Sequence, residues 1–140
     1  MKVYFSCSIT GGRTEQKTYQ RIVRHLEEQC WEVPTAHLAG AGVLDEDGKL
    51  KAWEVYQRDV TWVKESDIMV AEISTPSHGV GYEIAVAEFH HKPIFCCYET
   101  GKRISKMILG NDYQFLQIYA YRSTSDLFSA LDAFLQDFQQ

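Results

Sequence analysis

Residues 67–88, DIMVAEISTPSHGVGYEIAVAE, read as a strand, a glycine-containing turn and a helix, and that succession decides the fold. Ile68, Met69, Val70, Ala71 and Ile73 form an apolar run of strand length, the pattern of a strand covered on both faces in a parallel sheet. Thr75, Pro76 and Ser77 break the run. Gly79 and Gly81 then let the backbone approach a ligand, and the helix that follows opens with free N–H groups facing the turn, a setting that favours anions. Glu83 stands in the first turn or two of that helix, beside the place an anion would occupy. A carboxylate adds nothing to anion binding there, so it points to chemistry; the plain alternative is a solvated helix residue.

The rest of the chain repeats the alternation. Upstream, Val3 to Ile9 reads as a first strand and Thr10 to Thr14 as the loop leaving it. A helix to about Gln29 carries Tyr19, Ile22, Val23 and Leu26 on one face, and Cys30 to Thr35 reads as a short second strand ended near Pro34. Ala36 to about Lys51 is irregular, and loops of that length are usually functional or mobile. In the helix from Ala52 to Glu65, Asp59 shares the apolar stripe of Val55, Tyr56, Trp62 and Val63. Downstream come a strand from Ile94 to Tyr98, a short helix around Arg103 to Leu109 with Ile104, Met107 and Ile108 inward, and a strand near Phe115 to Tyr121. A final helix, capped by Ser123 or Ser125, turns Leu127, Phe128, Leu131, Phe134, Leu135 and Phe138 inward.

Five strands alternating with helices imply an α/β fold: a flavodoxin-like, three-layer domain spanning residues 1–140, with a parallel sheet in the order 2-1-3-4-5 and helices on both faces. Ligands in such sheets bind beyond the carboxyl ends of the strands at the point where the strand order reverses, here between the first and third strands. The Ser8 to Arg13 loop and the Thr75 to Gly81 turn both fall there.

Composition narrows the partners. A chain of 140 residues, 45% hydrophobic, supports one core, and a formal net charge of −5 argues against a nucleic-acid polymer or a membrane surface as partner. No apolar run approaches a membrane span of roughly 18 residues, and Met1 to Phe5 leads directly into a strand, so a cytoplasmic protein is expected. Cys7, Cys30, Cys96 and Cys97 have no metal or redox spacing and read as reduced packing cysteines; no metal set is visible and no cofactor is called for. His90 and His91 at a helix end read as surface favoured by the helix dipole.

Glu83 and Asp59 together suit glycosyl transfer, which needs a carboxylate beneath the anomeric carbon and help for the leaving group. The plain reading of Asp59 is a buried partner for an Arg or Lys. Ser77 with Gly79 and Gly81 could cradle a phosphate, as could Ser8, Gly11, Gly12 and Arg13, or both could be ordinary strand-to-helix turns. His37 could touch a base or sugar, or be an exposed loop residue. The glycine spacing fits neither a dinucleotide fingerprint nor a Walker loop.

The residues themselves carry a resemblance. Tyr4 to Arg13 (YFSCSITGGR), Asp59 to Trp62 (DVTW), Ser66 to Glu72 (SDIMVAE), Pro76 to Glu83 (PSHGVGYE) and Arg103 to Ile108 (RISKMI) resemble, in order and over nearly the whole chain, the 2′-deoxynucleoside 5′-phosphate N-hydrolase family within the nucleoside 2-deoxyribosyltransferase superfamily. The resemblance implies hydrolysis of the N-glycosidic bond of a nucleoside 5′-monophosphate to free base and sugar 5-phosphate. Glu83 matches the nucleophile that forms a covalent glycosyl-enzyme, Asp59 the second acid, and Tyr4 a tyrosine near the sugar. Ser8, Gly12, Arg13, Ser77 and Gly79 match the phosphate-binding region. Ser105 resembles a serine reaching the phosphate from a neighbouring subunit, which implies a homodimer. Ile9 and His37 fall near the sugar and base. Thr10 and Cys7 depart from the family, standing where relatives can carry a basic residue and a glycine. Two other functions fit the same pocket: a deoxyribosyltransferase acting on unphosphorylated nucleosides, disfavoured by the serines at 8, 77 and 105, and a non-catalytic nucleotide sensor, for which two carboxylates have no use.

Overall fold

The computed structural model describes residues 1–9, 13–40, 42 and 48–139, with residues 13 and 14 described in backbone alone. Strands Val3–Ser6 (β1), Ile68–Glu72 (β2), Ile94–Glu99 (β3) and Leu116–Tyr121 (β4) form a parallel sheet in the order β1-β2-β3-β4. Between and after them run helices Arg13–Glu28 (α1), Ala52–Glu65 (α2), His78–Phe89 (α3), Lys106–Leu109 (α4) and Thr124–Gln136 (α5), with a 3-10 turn at Ala36–Ala39.

The α/β class is as expected, but the sheet has four described strands and not five. The residues read as the second strand reach β1 through a single parallel bridge between Lys2 and Glu32, in which Val3 N–H donates to the Glu32 carbonyl at 2.8 Å. Chemistry stops the ladder there. Pro34 has no N–H to donate, and the Thr35 hydroxyl takes over the next pairing: it donates to the Phe5 carbonyl at 2.7 Å and accepts from the Phe5 N–H at 3.0 Å. The remaining four strands keep the expected relative order.

Strand parity sorts the core into two layers. Val3, Phe5, Cys7, Ile68, Val70, Phe95 and Cys97 face one way and pack on Tyr19, Ile22, Val23 and Leu26 of α1 and on Leu127, Leu131, Phe134 and Leu135 of α5. Tyr4, Met69, Ala71, Ile73, Ile94 and Cys96 face the other way, onto Val63 of α2 and Val80, Ile84 and Ala87 of α3. Each large apolar side chain so buried contributes about 1.5–3 kcal/mol. Cys7, Cys96 and Cys97 are packed in these layers as free thiols, their titration pushed up by burial, whereas Cys30 is exposed at a left-handed turn residue, φ 66°.

Two further readings change. Gly79 and Gly81 lie inside the first turn of α3 and not before it, because the Ser77 hydroxyl caps the helix, accepting from Val80 N–H at 3.3 Å. Met107 points outward, 85% exposed, because α4 is a single turn whose periodicity is too short to define a face; Ile104 and Ile108 do pack inward. Ser123, and not Ser125, caps α5, accepting from Asp126 N–H at 3.1 Å.

Candidate active site

The inward face of β1 supplies the floor. Tyr4 and Ser6 are two residues apart and so project to the same side, toward α2 and α3. α3 starts directly behind the turn that leaves β2, and its second turn brings Glu83 over β1, where Ser6 Oγ donates to Glu83 Oε2 at 2.8 Å. Glu83 Oε1 faces the start of the helix: a methyl group on Gly79 would stand 3.8 Å from both that oxygen and Ser77 Oγ. One carboxylate oxygen is therefore anchored and the other turned toward the capping turn.

α2 packs along α3 and brings up the second acid. Asp59 Oδ1 accepts from Arg58 Nε at 2.8 Å, and the Arg58 guanidinium lies 5.0 Å over the Trp62 ring. This bears out the plain reading of Asp59 as an arginine partner without removing it from the site, because its charge is felt by both Tyr4 and Glu83. The other face of this group belongs to the 3-10 turn, whose His37 ring meets Trp62 edge-on at 5.6 Å. His37 is exposed, so a ligand could reach it.

Burial governs the electrostatics. It pushes Glu83 up from the usual carboxylate range to about 7, with Asp59 adding to the rise; the Ser6 bond, the nearby Tyr4 hydroxyl and Arg58 pull it back. Burial also pushes Tyr4 up, reinforced by the Glu83 and Asp59 charges, so Tyr4 stays a neutral phenol. Its hydroxyl is buried with no partner at hydrogen-bonding geometry among the described residues, yet close enough to Glu83 to lower that carboxyl's affinity for a proton. A carboxylate poised near neutrality beside a neutral hydroxyl donor, with an acid–guanidinium pair at hand, can act as a nucleophile or as a base.

Of the other expected residues, Ser8 is buried just past β1 and Ile9 is half-buried in the turn after it. Gly12 and the Arg13 side chain lie outside the described residues. Ser105 caps α4, its hydroxyl accepting from Met107 N–H at 3.2 Å. It lines a groove of about 1180 Å³ with Ser77, His78, Gly81 and Ile84, on the side of α3 away from Glu83. This groove is thus beside the chemistry and not at it, sharing only the capping turn. His90 caps the far end of α3. No group of three or more His, Cys, Asp or Glu among the described residues is placed to hold a metal ion, and no described helix is long and apolar enough to cross a membrane.

Sequence reading missed three members of the cluster: Ser6, Arg58 and Trp62. Ser6 had a usable signal, its two-residue spacing from Tyr4 in a strand. Arg58 precedes Asp59 and nothing marks it as more than helix surface; Trp62 follows Asp59 by three on the same apolar stripe, which marks packing and not its contacts with Arg58 and His37.

Comparison with known proteins places these features. A family model described as nucleoside 2-deoxyribosyltransferase matches residues 3–132. A Methanococcoides burtonii protein, provisionally named 2′-deoxynucleoside 5′-phosphate N-hydrolase 1, is 40% identical over 81% of this chain and 93% of its own. A Tetraodon nigroviridis protein named 5-hydroxymethyl-dUMP N-hydrolase is 38% identical over 80% of this chain and 81% of its own. Among solved structures, a Clostridium botulinum CMP N-glycosidase superposes with a TM-score of 0.75 at 20% identity, over 96% of this chain and 99% of the other, a likeness of fold.

Proposed function

This chain belongs to the nucleoside 2-deoxyribosyltransferase family, and on that footing we propose that it hydrolyses the N-glycosidic bond of (2′-deoxy)nucleoside 5′-monophosphates to free base and (deoxy)ribose 5-phosphate. The observation that carries the reading is the divided Glu83 carboxylate, Oε2 held by Ser6 and Oε1 turned toward the Ser77 turn. A sugar lying over β1 with its 5′-phosphate at that turn presents C1′ to Oε1. Relatives named as N-hydrolases support the choice of water as acceptor.

The chemistry then runs in two steps. Glu83 Oε1 attacks C1′, the bond to the base nitrogen breaks, and its electrons leave with the base, which takes up a proton. Water next attacks C1′, gives up its proton to the site and frees Glu83, with net retention. The transition state is oxocarbenium-like, and the absence of a 2′-hydroxyl makes it less costly, so the deoxy sugar is the easier substrate. Asp59, held by Arg58, is the second acid, orienting the nucleophile or protonating the base, and the neutral Tyr4 hydroxyl supports Glu83. Ser8, Gly12, Arg13, Ser77 and Gly79 hold the phosphate, while Ile9 and His37 face sugar and base.

Ser105 completes the phosphate site from a second copy of the chain in a homodimer. The support is the family resemblance of Ser105 together with its exposure to solvent; within one chain it lines the groove that Ser77 also lines. Sedimentation at assay concentration checks this, and a monomer that turns over at full rate removes it.

The deciding experiment is chromatography of the protein incubated with deoxy- and ribonucleoside 5′-monophosphates, the matching nucleosides and a second free base. Free base from a deoxymonophosphate but not from its nucleoside is expected. Base exchange on nucleosides would instead mean a transferase, the activity that gives the family its description.

A further inference from the structure

β2 ends on a carboxylate that the chemistry above does not use. Glu72 is 1% exposed and faces away from Glu83, toward α1 and α5. Its Oε1 collects three donors: Ser74 N–H at 3.2 Å, the Ser74 hydroxyl in a short contact, and Tyr121 OH at 3.4 Å. Its Oε2 is buried with no partner among the described residues. The carboxyl is thus bonded on one side only, and that side faces Ser74 and Tyr121. Among the described residues, the groups that feel its charge from the packed elements are themselves acids: Cys7 after β1, Glu15 and Tyr19 on α1, Cys97 on β3 and Tyr121 on β4, with Glu99 beyond. Burial accordingly pushes Glu72 up to about 7, against the pull of Ser74 and Tyr121.

Two of the three contacts run into the turn between β2 and α3. Ser74 Oγ, donating to Glu72, also accepts from Glu99 N–H at 2.9 Å, and the next residue, Thr75, donates to Glu15 Oε1 at 2.6 Å. The first half of the turn is thus tied down from behind by two acids, and the second half is the Ser77 cap of α3.

We propose that Glu72 is a positioning residue for phosphate binding: through Ser74 it anchors the turn from which Ser77 and the open end of α3 present their donors. This rests on the phosphate reading of that turn. Ionised, Glu72 keeps its Ser74 bonds but places a negative charge behind the turn that receives the phosphate, which opposes anion binding there.

The test uses the full chain with the deoxynucleoside monophosphate it cleaves best, across pH, for wild type, Glu72→Gln, Glu72→Ala and Ser74→Ala. Glu72→Ala raises KM about tenfold at neutral pH with kcat within about threefold, since it strands the two Ser74 donors. Ser74→Ala does the same if the first variant fails to fold. Glu72→Gln keeps the carbonyl acceptor and carries no charge, so it stays within about threefold of wild type at neutral pH and loses the rise in KM that wild type shows above about pH 7. Amide hydrogen exchange over residues 73–81 of the free protein, which needs no substrate, accelerates in the alanine variants and not in Glu72→Gln. Unchanged KM and exchange in folded alanine variants, or the same KM–pH curve in Glu72→Gln as in wild type, overturns the proposal alone. A wild type that neither cleaves nor binds any nucleoside monophosphate overturns the phosphate reading and this role with it.

Discussion

Ser6 and Glu83, 77 residues apart in sequence, meet across the sheet and helix layers through a single 2.8 Å hydrogen bond from Ser6 Oγ to Glu83 Oε2. The bond selects which carboxylate oxygen stays available and helps hold the carboxyl near neutrality against its burial.

Removing it has a signed effect. Ser6→Ala deletes a hydrogen bond to the ionised form, so Glu83 moves further up from about 7 and the ascending limb of the kcat–pH profile shifts to higher pH. A bond to a charged group is worth about 1.5–3 kcal/mol, so kcat/KM at neutral pH falls roughly 10- to 100-fold. Steady-state kinetics over pH check both, and an unmoved limb would show that Ser6 does not tune the nucleophile.

Glu83→Gln keeps an acceptor for Ser6 but removes the nucleophile of the proposed route. Its kcat falls by at least about a thousandfold, while nucleotide affinity by calorimetry stays within about threefold of wild type. Wild-type turnover in this variant would refute the covalent route.

Stability depends on pH through the two buried glutamates. Glu72 and Glu83 both rise from 4.5 to about 7 by burial, so the folded state binds protons more tightly than the unfolded one. Their contribution is intact below about pH 4.5 and is lost as pH rises through about 7, on the order of a few kcal/mol in total. Asp126 shifts the opposite way, lowered by the Tyr119 hydroxyl, and acts only in more acid solution. Thermal unfolding should therefore give a Tm that falls between about pH 5 and pH 8. Glu72→Gln with Glu83→Gln should flatten that fall, and an equal fall in the double variant would contradict the assignment.

Much of this architecture can be read from residue patterns, and the failures have local causes. Helix α2 was readable to its ends because 14 residues carry four turns of apolar spacing. The second strand was not, because Trp31 and Val33 alternate inward as strand residues do while Pro34 and the Thr35 hydroxyl cancel the ladder that burial suggested. The glycines at 79 and 81 read as turn until Ser77 is recognised as the cap. Glu83 stood out by being a carboxylate where an anion was expected. Ser6 offered only its two-residue spacing from Tyr4, and Glu72, a polar residue at the end of an apolar strand, offered less; the opposing layers show what each serves.

The segment past α1 is stitched to the sheet by one backbone bridge and one hydroxyl, yet it carries His37 to the edge of Trp62. Chemistry and base selection, on the proposed reading, therefore rest on parts with different tolerance for change. The carboxylates are locked into a ladder and a helix pair where any slip would dismantle the core. The segment carrying His37 lies outside that lock, held to the sheet at Glu32 and Thr35 and packed on the core through Trp31, Val33 and Ala39, so base preference can change at its exposed positions without rebuilding the machine that cuts the bond.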